Sequence, residues 1–197
     1  VVSLNAFLPA LGTMAKDFGV SYATMSVSVW GYMYITAFVL LIAGPISDYI
    51  GRRTTVFICL SFYIVGSLGA LVSVDYWSFI AFRFCQTTAI AGFTLSQTIV
   101  RDTSPDRNAA AKKIAYVSMA MAIGPMIVPT IGGLFSDYLG WRSIFGMFLA
   151  HSLLLLALVV FDLKETNYQR KSSLSERLQG YRTLLGMPKY WGLLMCQ

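Results

Sequence analysis

Gly44-Pro45-Ile46-Ser47-Asp48-Tyr49-Ile50-Gly51-Arg52-Arg53 decides how this chain is read. It is a short charged turn between two long apolar runs, residues 22–43 before it and 54–73 after it. Each run is long enough to cross roughly 30 Å of hydrocarbon as a helix, which takes about 20 mostly apolar residues. A chain that leaves one such run, turns on glycines and arginines, and enters another is threading a membrane. The turn also has an echo: Ser136-Asp137-Tyr138-Leu139-Gly140-Trp141-Arg142 follows another apolar run, 89 residues further on. An odd number of crossings separates the two copies, so they lie on opposite sides. Spans 1–3 and 4–6 therefore read as inverted-topology repeats, an arrangement used by many secondary transporters.

Outward from the turn, further apolar runs occupy residues 77–100, 111–135 and 142–161. Residues 1–12 are apolar as well but cover only about 18 Å at about 1.5 Å per residue, so the first span reads as cut short. No basic n-region or small-residue cleavage site marks a signal peptide. At the other end, residues 190–197 read as the opening of a seventh span. The expected organisation is a six-span all-α bundle over 1–161, with span 1 truncated, then a cytoplasmic linker over 162–190 and the start of span 7 at 191–197. Inside the linker, Ser173-Leu174-Ser175-Glu176 has the form of a capping box. Leu174, Leu178, Tyr181 and Leu185 then recur at helical spacing, which predicts an amphipathic helix suited to the membrane interface.

Composition agrees. Apolar residues make up 56% of the chain and charged residues 12%, with a mean hydropathy of +0.64; a soluble domain carries about twice that charged share. The net charge of +6 is a topology signal. Segments 44–53, 101–113 and 162–190 hold twelve of the 15 Lys and Arg. Because such residues collect on the cytoplasmic side, these segments are expected in the cytoplasm and the bundle in the cell inner membrane. The implied partners are the lipid bilayer, a small-molecule substrate and a further half of the same carrier, with no nucleic acid. Nothing resembles a nucleophile, metal cluster or phosphate loop, so no enzyme, cofactor or metal is expected. Cys59, Cys85 and Cys196 fit no disulfide or metal spacing and read as small buried apolar residues.

The turn carrying Gly44, Asp48, Gly51, Arg52 and Arg53 resembles the signature loop between spans 2 and 3 of major facilitator transporters, G-x-x-x-D-x-x-G-R-[KR]. The resemblance implies a twelve-span fold of which this bundle is the N-terminal half. It also implies a cytoplasmic latch, for which Asp102, at the end of span 4, is the natural partner of Arg52. Positive-inside anchoring alone would account for the arginines, though not for Asp48 and the spaced glycines.

Arg83 is the only Lys or Arg deep inside a span. A charge there is costly, so it must face the bundle interior and have a partner. Arg83-Phe84-Cys85-Gln86 is similar to the family's span 4 motif R-x-x-Q-G, which implies a role in proton coupling; Thr87 stands where Gly is usual. A purely structural arginine bonding backbone carbonyls is the alternative. Gly124, Pro125 and Pro129, then Gly132 and Gly133, resemble a stretched form of the span 5 antiporter motif G-P-x-x-G-G. Prolines bend helices and glycines allow backbones to approach, so this is a candidate hinge; a structural kink would look the same.

Ile99-Val100-Arg101-Asp102 and Gly140-Trp141-Arg142-Ser143-Ile144-Phe145 are similar to the Bcr/CflA branch of multidrug resistance transporters, which implies proton-coupled drug efflux. In that branch span 1 usually carries an Asp four residues before a Pro. Here Asn5 stands there, before Pro9, and Asn cannot titrate. At comparable depth, Asn5 and Arg83 are expected to meet across the cavity. The departure keeps open a carrier of a sugar, amino-acid derivative or other metabolite, by symport or uniport. Trp30 and Tyr34 share one helical face and form a candidate aromatic wall or simple packing. His151, the only histidine, is a candidate proton carrier or a packing residue.

Overall fold

A computed structural model describes residues 2–162, and every element among them is helical. In order these are α1 (Val2–Asn5), a 3-10 turn (Leu8–Ala10), α2 (Leu11–Asp17), α3 (Tyr22–Met25) and α4 (Val27–Ile50). Then follow α5 (Arg52–Val72), α6 (Tyr76–Cys85), a second 3-10 turn (Gln86–Thr88), α7 (Ala89–Thr103), α8 (Arg107–Leu139) and α9 (Arg142–Asp162). They form six passes: α1–α2, α3–α4, α5, α6–α7, α8 and α9. Four helical stretches, Tyr22–Ile50, Arg52–Val72, Arg107–Leu139 and Arg142–Phe161, are long and apolar enough to cross a membrane by length and composition. The linker helix and the start of span 7 lie outside the described residues.

Helix starts follow local chemistry. Ser21, Asp75 and Asp106 each accept a hydrogen bond from the backbone N–H three residues on, at 3.0, 2.9 and 2.7 Å, the usual N-cap arrangement. The two echo turns fold alike. Gly51 (φ 102°, ψ 150°) and Gly140 (φ 80°, ψ 157°) each donate to the serine carbonyl four residues back, Ser47 and Ser136. That backbone region is essentially open to glycine alone, so the repeat is a repeat of conformation as well as of letters.

Two expectations change. The turn expected over 44–53 narrows to Gly51, because α4 runs through Pro45 to Ile50. Proline costs one backbone bond, and neighbouring helices and local adjustments make that tolerable inside a membrane bundle. Span 1 does not end near Gly12: α2 continues through Lys16 to Asp17, because a helix outlasts its apolar run when it emerges into water. Pro125 and Pro129 sit inside α8, which is assigned as one helix from Arg107 to Leu139.

The main core lies toward the Gly140 end, where Phe79, Trp141, Phe145 and Phe148 stack edge to face at centroid distances of 5.4 to 6.0 Å. Close backbone approach sets the crossings. A Cβ on Gly69 would collide with the Phe82 ring, and one on Gly132 with the Ala6 carbonyl. Gly132 thus seats α8 against the interruption in span 1. Cys59 is buried, Cys85 half-buried, and both are unbridged.

Candidate functional site

At the Gly51 end, Arg52 ion-pairs with Asp102 and its Nη2 lies 3.9 Å from Asp48. Arg52 Nη1 also donates to the Thr98 carbonyl at 3.4 Å, and Arg53 Nη2 to the Val160 carbonyl at 3.3 Å. The residues singled out in the turn therefore bind α5 to the ends of α7 and α9. Gly44 lies inside α4, one turn before Asp48.

At the opposite end is a cluster that the sequence reading did not assemble. Trp141 Nε1 donates to Asp17 Oδ2 at 2.6 Å, Arg142 lies 3.7 Å from the same oxygen, and Arg142 Nη2 donates to the Ser73 carbonyl at 3.1 Å. The echo itself was the available signal, since Trp141 and Arg142 occupy the repeat positions of Arg52 and Arg53.

Between the two ends lies Arg83, fully buried. Its Nη1 donates to the Ser3 carbonyl at 3.2 Å and to Gln86 Oε1. Gln86 Nε2 donates in turn to Ser67 Oγ at 2.9 Å, which points the amide oxygen at Arg83. The guanidinium carbon stands 4.1 Å from the Phe7 ring centroid, 4.8 Å from Tyr32 and 5.8 Å from Phe145, within cation–π range. Arg83 and Gln86, three apart, meet as helical spacing requires; Ser3, Ser67, Tyr32 and Phe7 come from other spans and had no local signal. Asn5 is half-buried at the end of α1. Both 3-10 interruptions, Leu8–Ala10 in span 1 and Gln86–Thr88 in span 4, flank this centre. Interrupted helices mark the binding region in many transporters.

Two cavities adjoin it. One of about 280 Å³ is bounded by Ser3, Tyr32, Phe93, Val117, Met121 and Gly124. A larger, mostly apolar one of about 460 Å³ lies between α5, α7 and α9, with His151, Tyr63 and Cys59 on its wall. Ser3, Ala89 and Phe93 border both. Trp30 and Tyr34 pack edge to face at 6.1 Å on the exposed face of α4, outside these cavities. Gly133 meets Pro9 at ordinary contact distance.

An all-helical bundle built from two inverted triplets of membrane-crossing passes, with a buried cation among interrupted helices, is the architecture of a membrane transporter half. The chain matches the Major Facilitator Superfamily over residues 1–196 and belongs to that family. It is 32% identical over 168 residues to the uncharacterized MFS-type transporter YdgK of Bacillus subtilis (strain 168), covering 84% of this chain and 42% of that one. It is 32% identical to the MFS-type transporter R5 of a Phoma species, over 84% of this chain and 32% of that one. It is 30% identical to the bicyclomycin resistance protein homolog of Haemophilus influenzae, over 83% and 41%. The chain thus spans about two-fifths of the bacterial relatives it matches. Its relatives are transporters, not enzymes.

Proposed function

We propose that the chain is the N-terminal half of a proton-coupled exporter of drugs or small amphipathic compounds in the cell inner membrane. Segments 44–53, 101–113 and 162–190 face the cytoplasm on this reading, and Asp48, Arg52, Arg53 and Asp102 form the cytoplasmic latch. The observation that carries the reading is the fully buried Arg83, set beside an apolar cavity at the level where spans 1 and 4 are interrupted. A cation held there, away from water, is a group whose interactions change when a proton or a substrate arrives. The bicyclomycin resistance homolog among the relatives supports an efflux substrate. Gly124, Pro125, Pro129, Gly132 and Gly133 form the seam on which α8 moves against its neighbours, and Trp30 and Tyr34 face the second half of the carrier.

Asn5, in place of the acidic residue usual in that branch, favours a second reading. In it the carrier moves a sugar, amino-acid derivative or other metabolite by symport or uniport.

The test is efflux of two lipophilic dyes, one cationic and one bearing a carboxylate, by the full-length carrier in proteoliposomes under an imposed pH gradient. Gradient-driven efflux that Arg83→Ala reduces at least about tenfold is expected, on the scale of one lost charge-assisted bond or more. Dye movement indifferent to the gradient would discard proton coupling and leave the second reading.

A further inference from the structure

We infer that Arg83 receives a carboxylate-type anion carried on the transported molecule. The inference rests on the carrier reading above and names the substrate class it implies. A guanidinium has five N–H donors, and burying it is costly unless hydrogen bonds and a countercharge offset the loss of water. Arg83 Nη1 is satisfied by two neutral acceptors, the Ser3 carbonyl and Gln86 Oε1. Nε and Nη2 are buried and bond nothing among the described residues. These two nitrogens form one edge of the guanidinium, and that edge is the fork that takes both oxygens of a carboxylate. The rings of Phe7 and Tyr32 attract the positive charge but bring no negative one. Every acidic residue among the described ones is an aspartate at or near a helix end, so none accompanies Arg83 at mid-span.

Access and fit point the same way. Ser3 and Tyr32 both border the cavity of about 280 Å³ and both touch Arg83. Tyr32 and Ser3 hold each other through their hydroxyls at 3.0 Å, and the Tyr32 hydroxyl also donates to the Gln86 carbonyl at 3.5 Å. An entering carboxylate that displaces these neutral contacts gains two charge-assisted bonds, to Nε and Nη2. Phe93 and Met121 on the cavity wall suit an apolar body behind the charge. The ligand class is therefore an amphipathic carboxylate.

The experiment is equilibrium binding of 2-naphthoate and of its neutral amide, 2-naphthamide, to the full-length carrier in nanodiscs, with acetate as competitor. The naphthoate is expected to bind at least about tenfold tighter than the amide. Arg83→Gln is expected to erase that preference while measurable amide binding shows that the site is folded. If Arg83→Gln does not fold, the wild-type pair decides alone: equal affinities overturn the inference. Acetate displacing naphthoate as well as naphthoate itself does would make the anion a free small carboxylate and overturn its assignment to the transported molecule. Weak competition by acetate supports that assignment. Proton-driven dye efflux without a naphthoate preference overturns this inference and leaves the exporter reading standing. A naphthoate preference without such efflux does the reverse.

Discussion

The Gly51 end and the Gly140 end are built on the same backbone and finished with different chemistry. At each, a glycine with positive φ ends one long helix and starts the next, and each donates to the serine carbonyl four residues back. At each, the residue after the glycine reaches a carboxylate, and the next one reaches a backbone carbonyl of another helix. The pairs are Arg52–Asp102 and Arg53–Val160 on one side, Trp141–Asp17 and Arg142–Ser73 on the other. The first pair joins spans 3, 4 and 6; the second joins 6, 1 and 3, as inversion of the repeat requires. Yet Arg52 is held by charge, whereas Trp141 is 2% exposed and locked into the aromatic core. One end is fastened by charge; the other adds aromatic packing to its ion pair. Both ends carry an ion pair, Arg52–Asp102 and Arg142–Asp17, but only at the Gly140 end does a buried indole share the carboxylate.

The comparison is broken most severely at Trp141. Trp141→Ala removes a buried ring and its indole donor to Asp17, and is expected to cost about 3–5 kcal/mol, read as a fall in the thermal unfolding midpoint in detergent. Trp141→Phe, which keeps a ring and loses the N–H, should cost less. If the two variants behaved alike, the hydrogen bond and not the packing would hold that end.

Next come the glycines. Gly51→Ala and Gly140→Ala each force a side chain into a backbone region that costs about 1–3 kcal/mol, so both should destabilise by similar amounts. A Cβ on Gly140 meets nothing within 4 Å, so crowding would not explain its loss. Unequal losses would show that the turns are equivalent in shape only.

Arg52→Ala is expected to cost about 1–2 kcal/mol of stability, since the pair is partly exposed, but to impair transport by a larger factor. The exchanged pair, Arg52→Asp with Asp102→Arg, should restore more than either single change. Full transport by Arg52→Ala would reduce the ion pair to an anchor.

The smallest effect is a pH dependence at Asp75, the cap of α6. The Ser78 hydroxyl and backbone N–H bonds hold its carboxyl below the ordinary carboxylate value. A depressed carboxylate contributes stability above its unfolded value, about 4, and loses it as the pH falls through the lower folded value. Asp75→Asn caps about as well and does not titrate. The variant and the wild type should therefore unfold alike at neutral pH, with the wild type losing ground below about pH 4.

Much of the fold was legible in the letters. Apolar run length located the passes, the echo between 47–53 and 136–142 exposed the inverted repeat, and the turn predicted which arginine and aspartate to compare. The errors came from treating local punctuation as an end. Gly44 and Pro45 open the stretch that reads as a turn, yet α4 passes through both; the first apolar run stops at residue 12, yet α2 continues to Asp17. The second error hid the Asp17 cluster, because a loop aspartate has no fixed neighbour and a helix-end aspartate does.

The sequence by itself determined the crossings, the inverted repeat and the two glycine turns, because hydropathy and backbone conformation are properties of short stretches. Only the tertiary structure decided what Arg83 touches, since its bond to Ser3 spans 80 residues, and that Trp141 meets Asp17, across 124. Both contacts depend on how separate helices cross, set by close approaches such as Gly132 on Ala6 and Gly69 on Phe82. No single helix carries that information.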